Sequence, residues 1–197
     1  MLMKLSFVLS ALLCGAPFAW AQTDAQLPAL KAAIVADPQL NAYPNTGDGN
    51  FALAECLSRL TTLACTPWPG QQADPAGPVF VVWRSRVQID EVGDNINAAE
   101  LAGLSTLNAT RLQTLVALSN AGINPSIANR RTFFDDIFSG AGGVNTRAAL
   151  LILWKRPTNR VEAFLKAGGT GSDASPATLG FEGATNYQRV EAARNLP

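Results

Sequence analysis

Apolar residues return at helical spacing along most of this chain. From Asp24 to Ala36, the residues Leu27, Leu30, Ile34 and Val35 fall near one face, and Thr23 or Asp24 can cap the start. Asp37-Pro38 ends that helix, because the residue before a proline avoids the α region. The turn cluster Asn45 to Gly49 leads into a second helix, Phe51 to Leu60, with Phe51, Ala54, Leu57 and Leu60 in phase. Helical spacing resumes from Ala98 to Asn120. Leu101 and Leu104 form one apolar pair, and Leu112, Leu115, Val116 and Leu118 the next stripe. Gly122 suits a C′ position, and Asn124-Pro125 restarts a helix with proline in its first turn. Phe133, Phe134, Ile137 and Phe138 mark the buried face of that helix. Thr146 to Lys155, capped by Asn145, carries the run Ala148 to Trp154 and reads as apolar all round, the pattern of a central buried helix. Pro157 stops it. Thr158 caps a further helix, Gly168-Gly169 closes that one, and Thr185 or Asn186 caps a last helix carrying Tyr187, Val190 and Arg194.

Strand signals are few. Val79 to Val87 is rich in β-branched and aromatic residues, and Ala177 to Glu182 is a second short candidate. The two are natural partners, and a pair of strands needs helices packed on it. The expected fold is mainly α: a compact bundle of about six or seven helices with at most a small two-stranded β element. Residues 22–197 form one domain, crossed by a Pro/Gly-rich loop at 65–78.

Composition narrows the chemistry. Hydrophobic residues make up 48% of the 197 and charged residues only 15%, which argues against a disordered chain. Fifteen Lys and Arg balance fifteen Asp and Glu, so nothing favours nucleic acid as a partner. The sequence contains no histidine. That removes Ser–His–Asp and Cys–His catalysis, and histidine-bearing zinc and iron sites, together. A serine nucleophile would then need a lysine base, and no S-x-x-K occurs.

The first 21 residues resemble an export signal. Lys4 gives the positive end, Leu5 to Leu13 the apolar region, and Ala19-Trp20-Ala21 a cleavage pattern. The alternative is an apolar N-terminal arm that is retained. The run is too short for a stable membrane span. Cys14 follows Leu13 rather than a small residue, so lipidation is rejected. Cys56 and Cys65 can bridge a short loop in an oxidising compartment, and would be free thiols in a reducing one. Two thiols without histidine make a zinc site a poor reading.

Other candidates read as structure. Asp135 and Asp136 are adjacent on a helix, so their carboxylates diverge, and pairing with Arg130 or Arg131 suits them better than a metal. Gly140 to Gly143 follows a helix and lacks a P-loop lysine. Gly168 to Ser172 is small and polar enough for an anion nest, but reads more simply as a loop. Asn108-Ala109-Thr110 fits a glycosylation sequon inside a helix. Trp83-Arg84 and Trp154-Lys155-Arg156 each place a tryptophan beside cations. The functional reading makes Trp83, Arg84, Lys155 and Arg156 interface anchors. The plain reading puts both tryptophans in the core with the cations reaching outward. No catalytic residue, cofactor or metal ligand is assigned.

Three blocks carry a resemblance. They are Pro78 to Val87 (PVFVVWRSRV), Gly122 to Gly140 (GINPSIANRRTFFDDIFSG), and a third that joins Thr146 to Arg156 (TRAALLILWKR), Thr170 to Glu182 (TGSDASPATLGFE) and Tyr187 to Arg194 (YQRVEAAR). Together the chain resembles a family of small virion-associated structural proteins encoded by tailed phages and prophages, over most of Thr23 to Arg194. Cys56 to Pro75 looks like an insertion relative to that pattern. The resemblance implies a non-enzymatic role near the head–tail junction or tail, with copies of itself and other virion proteins as partners and assembly in the host cytoplasm. The alternative is a secreted or periplasmic helical binding protein released after Ala21.

Overall fold

The computed structural model describes residues 22–72, 74–119 and 121–197, so the signal-like segment lies outside the described residues. The chain is mainly α. A 3₁₀ turn at Asp24–Gln26 runs into α1 (Leu27–Ala36), α2 (Pro38–Asn41) and α3 (Gly47–Ser58). After the Pro/Gly-rich loop come β1 (Val81–Trp83), α4 (Ile89–Asp94), α5 (Ala98–Ala102), α6 (Thr106–Leu118), α7 (Ala128–Ile137) and α8 (Val144–Leu153). The chain finishes with β2 (Lys155–Pro157), α9 (Arg160–Phe164), β3 (Lys166–Gly168), β4 (Thr178–Leu179) and α10 (Tyr187–Arg194).

Short polar side chains start many of these helices by satisfying first-turn N–H groups that have no helical acceptor. Asp37 Oδ1 accepts from the Gln39 and Leu40 N–H groups, Thr46 Oγ1 from Gly49, Ser105 Oγ from Asn108 and Asn186 Oδ1 from Arg189. Burial then gathers the helices into two clusters. One joins α1, α2, α3, α9 and α10 through Leu30, Ile34, Leu53, Leu57, Val161 and Val190. The other joins α4, α6, α7 and α8 through Val92, Leu115, Phe134, Ile137, Leu150 and Trp154. Trp154 is 3% exposed, with its ring centroid 5.4 Å from that of Phe134.

The β-structure departs from the expected single pair. β1 pairs antiparallel with β2, in the register Val81 to Pro157, Val82 to Arg156 and Trp83 to Lys155. β4 pairs with β3 instead of with β1. From the Ala177 to Glu182 segment, Ala177, just before β4, makes an isolated parallel bridge to Val82 of the first ribbon. The physical reason is chain geometry. β2 follows α8 directly, and β3 follows α9 directly, so each helix ends by feeding a strand back onto the body. Lys155 to Pro157 carries two cations and a proline, which hid it as a strand.

Several expected helix faces also rotate. Leu27, Leu30 and Ile34 are buried, but Val35 is exposed. In α3 the buried set is Leu53, Ala54, Cys56 and Leu57, and Phe51 and Leu60 face outward. Leu112 and Leu115 of α6 are buried, while Leu101, Val116 and Leu118 are exposed. α7 begins at Ala128 rather than at Pro125. The largest correction concerns α8, which is not buried all round. Thr146, Leu150 and Trp154 point into the cluster, whereas Val144, Ala148, Leu151 and Ile152 are exposed. An apolar run conceals its own phase, since no polar residue marks the outer face.

Candidate interaction site at the β1–β2 ribbon

The ribbon brings all four proposed anchors together. Trp83 and Lys155 are register partners, and the Arg84 N–H donates to the Trp154 carbonyl at 2.8 Å. Val82 of β1 and Ala177, which bridges to it, are fully buried. The cationic ends, however, are engaged within the chain. Arg84 forks onto both oxygens of Glu91 at 2.8 and 3.0 Å. Lys155 Nζ donates to the Asp173 carboxylate at 3.0 Å. The half-buried Trp83 ring is covered by the Arg131 guanidinium, 3.8 Å from its centroid, and Lys155 Nζ stands 5.9 Å away. Arg131 thus serves Trp83 and the Pro125 carbonyl. Among the described residues neither Asp135 nor Asp136 closes an ion pair with Arg130 or Arg131, although the Arg131 charge still acts on Asp135.

Arg156 is the most heavily engaged. Its guanidinium makes two parallel bonds to Glu162, at 2.8 and 2.9 Å, and a third to Glu182 at 3.0 Å. Glu162 also accepts from the Thr158 hydroxyl, the Asn159 N–H and, at 2.8 Å, the Gly183 N–H. Burial alone would raise its pKa. Arg156, Thr158 and Gly183 overcome that and hold it below the ordinary carboxylate range. Ser85 donates to Glu182. One guanidinium thus ties β2 to α9 and to the segment after β4.

A second buried pair supports the Pro/Gly-rich loop. Arg160 is paired with Asp74 and donates to the carbonyls of Leu63 and Pro75, both at 3.0 Å. Burial raises the Asp74 pKa, and Arg160 offsets this only in part. Beside the pair, Cys56 and Cys65 form a disulfide with Cα atoms 5.0 Å apart, and Tyr43 Oη donates to the Thr66 carbonyl at 2.7 Å. Cys56, Cys65 and Asp74 place one sulfur or oxygen each within 4.8 Å of one another. The donor set does not suit a cation, because the sulfurs are bonded to each other and Asp74 already neutralises Arg160.

A third acid caps a helix from a distance. Glu100 of α5 accepts the Asn145 and Thr146 N–H groups at 2.9 and 2.7 Å, and the Asn145 amide at 2.9 Å. Asn145, the expected cap, lies inside α8 instead. Burial raises the Glu100 pKa, but the hydrogen bonds from Thr146 and Asn145 outweigh it and bring the carboxyl down to about 2.

Sequence reasoning singled out none of Asp74, Glu100, Arg160, Glu162 and Glu182. Only Glu162 carried a local signal, the capping box it forms with Asn159. The others pair across 45 to 86 residues of chain or, for Glu182 and Arg156, across 26.

Acids and bases around the ribbon neutralise one another, an arrangement that braces packed elements. The outer face of α8 is uncharged. α8 presents Val144, Leu151 and Ile152, and its one charged residue, Arg147, turns onto the carbonyls of Phe138 and Gly140. These features define a mainly α chain, internally braced, with an uncharged helical face open to contact. Compared with protein-family models, curated proteins and solved structures, the chain matches none. Among the described residues no helix is long and apolar enough to cross a membrane.

Proposed function

We propose that this chain is a non-enzymatic structural component of a tailed-phage or prophage particle, at the head–tail junction or tail, assembling with copies of itself and with other virion proteins. The supporting observation is spatial. Segments that carry the resemblance, far apart in sequence, meet in one braced unit. Val81 of the first block bonds to Gly171 of the last at 2.7 Å, and Trp83 to Ala177 at 2.9 Å. Arg156 of the helical block holds Glu182. Gly171 lies against the Phe80 ring with φ +81°, so a side chain there would collide with that ring, just before β1. The exposed α8 face supports assembly, because permanent interfaces are more hydrophobic than transient ones.

One observation favours a second reading, an exported helical binding protein. The Cys56–Cys65 disulfide is the kind of bond that persists in oxidising compartments. One experiment separates the two. Particles from an induced culture of the encoding strain are purified on a density gradient and analysed by mass spectrometry. Peptides of this chain at fixed stoichiometry to the particle are expected. Their absence from particles, together with a periplasmic species beginning at Gln22, overturns the proposal in favour of the second reading.

A further inference from the structure

Of the aromatic side chains among the described residues, two are exposed: Phe51 at 59% and Tyr187 at 41%. Both line the same cleft, about 290 Å³ in volume, between the outer face of α3 and the start of α10. The coincidence needs a reason, since two large aromatics in water cost apolar hydration and nothing in the core uses them. The lining also includes Glu55 of α3 and Arg59, the residue just past its C-terminal end, which follow Phe51 at successive four-residue steps. Among the described residues Glu55 has no hydrogen-bonding or ionic partner. Arg59 gives one N–H to the Ala64 carbonyl at 3.1 Å and keeps the rest of its fork available. Ser58 closes the floor by donating to the Thr185 carbonyl at 3.2 Å. Asn186 spends its Oδ1 on capping α10, which leaves its amide N–H groups for the cleft.

We propose that this cleft is a binding site for a neutral saccharide, one or two pyranose rings of a larger glycan. The ligand class follows from the lining. A lipid tail would strip water from Glu55 and Arg59 without replacing it. A phosphate would meet Glu55 and a metal ion would meet Arg59, so neither sign of charge is favoured. A sugar ring satisfies both halves of the site. Its C–H face packs on an aromatic ring, as apolar surface on apolar surface. Its hydroxyls lie around the ring edge, where a carboxylate accepts, a guanidinium donates in a fork, and an amide donates. A volume of this size is at the lower end for small-molecule sites and holds a short glycan segment, not a polymer. Binding in the millimolar range is the expectation for so open a cleft. This inference stands independently of the particle proposal, because it uses only α3, α10 and their loop.

The test is an NMR titration of the full chain with maltotriose, cellotriose and triacetylchitotriose, each to about 10 mM, roughly ten times a Kd of ~1 mM. At least one should shift the resonances of Phe51, Tyr187 and the Asn186 amide, and show saturation transfer from the aromatic protons. Phe51→Ala and Tyr187→Ala should each weaken that binding at least about tenfold, which is the loss of one stacking partner. Tyr187→Phe should retain it, because the ring and not the hydroxyl carries the contact. Glu55→Gln should weaken it with no change in thermal melting. Both aromatics are exposed, so their removal leaves the fold intact; should Phe51→Ala melt early, Tyr187→Ala and Glu55→Gln carry the measurement. Absence of shifts with all three sugars overturns the proposal, as do shifts that map away from the cleft, or alanine variants that bind like the parent.

Discussion

Trp154→Ala tests the most specific packing statement the structure makes, that one end of α8 is driven into the second cluster while the other face of the same helix stays in water. Trp154 is 3% exposed and stacks obliquely on Phe134, which is itself 1% exposed. Removing a buried tryptophan costs about 3–5 kcal/mol, through lost transfer energy and the cavity left behind. In a chain of this size each kcal/mol moves the melting temperature by roughly 2–4 °C, so a fall of about 6–20 °C is expected. The control is two residues away. Ile152 is 76% exposed, and Ile152→Ala should stay within about 0.5 kcal/mol of the parent. Thermal melts by circular dichroism and calorimetry read both. If Trp154→Ala melts within about 2 °C of the parent, or Ile152→Ala is equally damaging, the orientation of α8 is wrong.

Three further outcomes are expected. Replacing Cys56 and Cys65 by serine removes a cross-link between residues separated by 9 in sequence, worth about 2.5 kcal/mol in chain entropy, and denaturant midpoints with and without reductant measure it. Alkylation of the parent without reductant reads the same bond: unlabelled cysteines match the disulfide and favour the exported reading, and labelled ones match assembly in a reducing cytoplasm. Glu100 has a folded pKa lowered to about 2, so its stabilising contribution is full above its ordinary range near pH 4.5 and is lost as pH falls toward 2. Glu100→Gln should flatten that stretch of the stability–pH curve, and an unchanged acid limb counts against the remote cap. Ile152→Asp should leave the melting temperature unchanged and abolish self-association in light scattering, while a monodisperse parent monomer would remove α8 as an assembly face.

Much of the helical content was legible because it rests on local rules. Asn186, read as a cap, accepts from the Arg189 N–H, and a capping residue acts over three positions. Asp37, Thr46 and Ser105 cap α2, α3 and α6 by the same rule, roles that the sequence reading did not assign to them. Phase was less legible. In α3, Phe51 and Leu57 both fit an apolar stripe, but Leu57 is buried and Phe51 exposed; the choice is made by packing on α9 and α10, more than a hundred residues later. The same ambiguity runs through α8, where every residue from Ala148 to Trp154 is apolar and only tertiary packing selects Leu150 and Trp154 for burial. The strands were the least legible. A three-residue strand holds fewer than two alternations, so Lys155–Pro157 and Lys166–Gly168 carry no periodic signal at all.

The proposed anchors illustrate how a short motif can hide the physical role of its residues. Trp83, Arg84, Lys155 and Arg156 are neighbours in space, a pairing that neither motif announced, and each motif gives only half of each contact. Their partners Glu91, Asp173, Glu162 and Glu182 lie outside the motifs, and the capping boxes that mark Glu91 and Glu162 locally do not point to a cation. A cation followed from sequence to its counter-ion only where the two share a helix turn, and these pairs are made across strands and loops. Burial decides what each is worth. The Lys155–Asp173 pair lies largely in water on the acid side and contributes little, whereas Glu162 is 2% exposed and would be left as an uncompensated charge if Arg156 were removed. Arg156→Ala should therefore cost more than Lys155→Ala. The difference belongs to Glu162, a residue that the Trp-Lys-Arg motif does not contain.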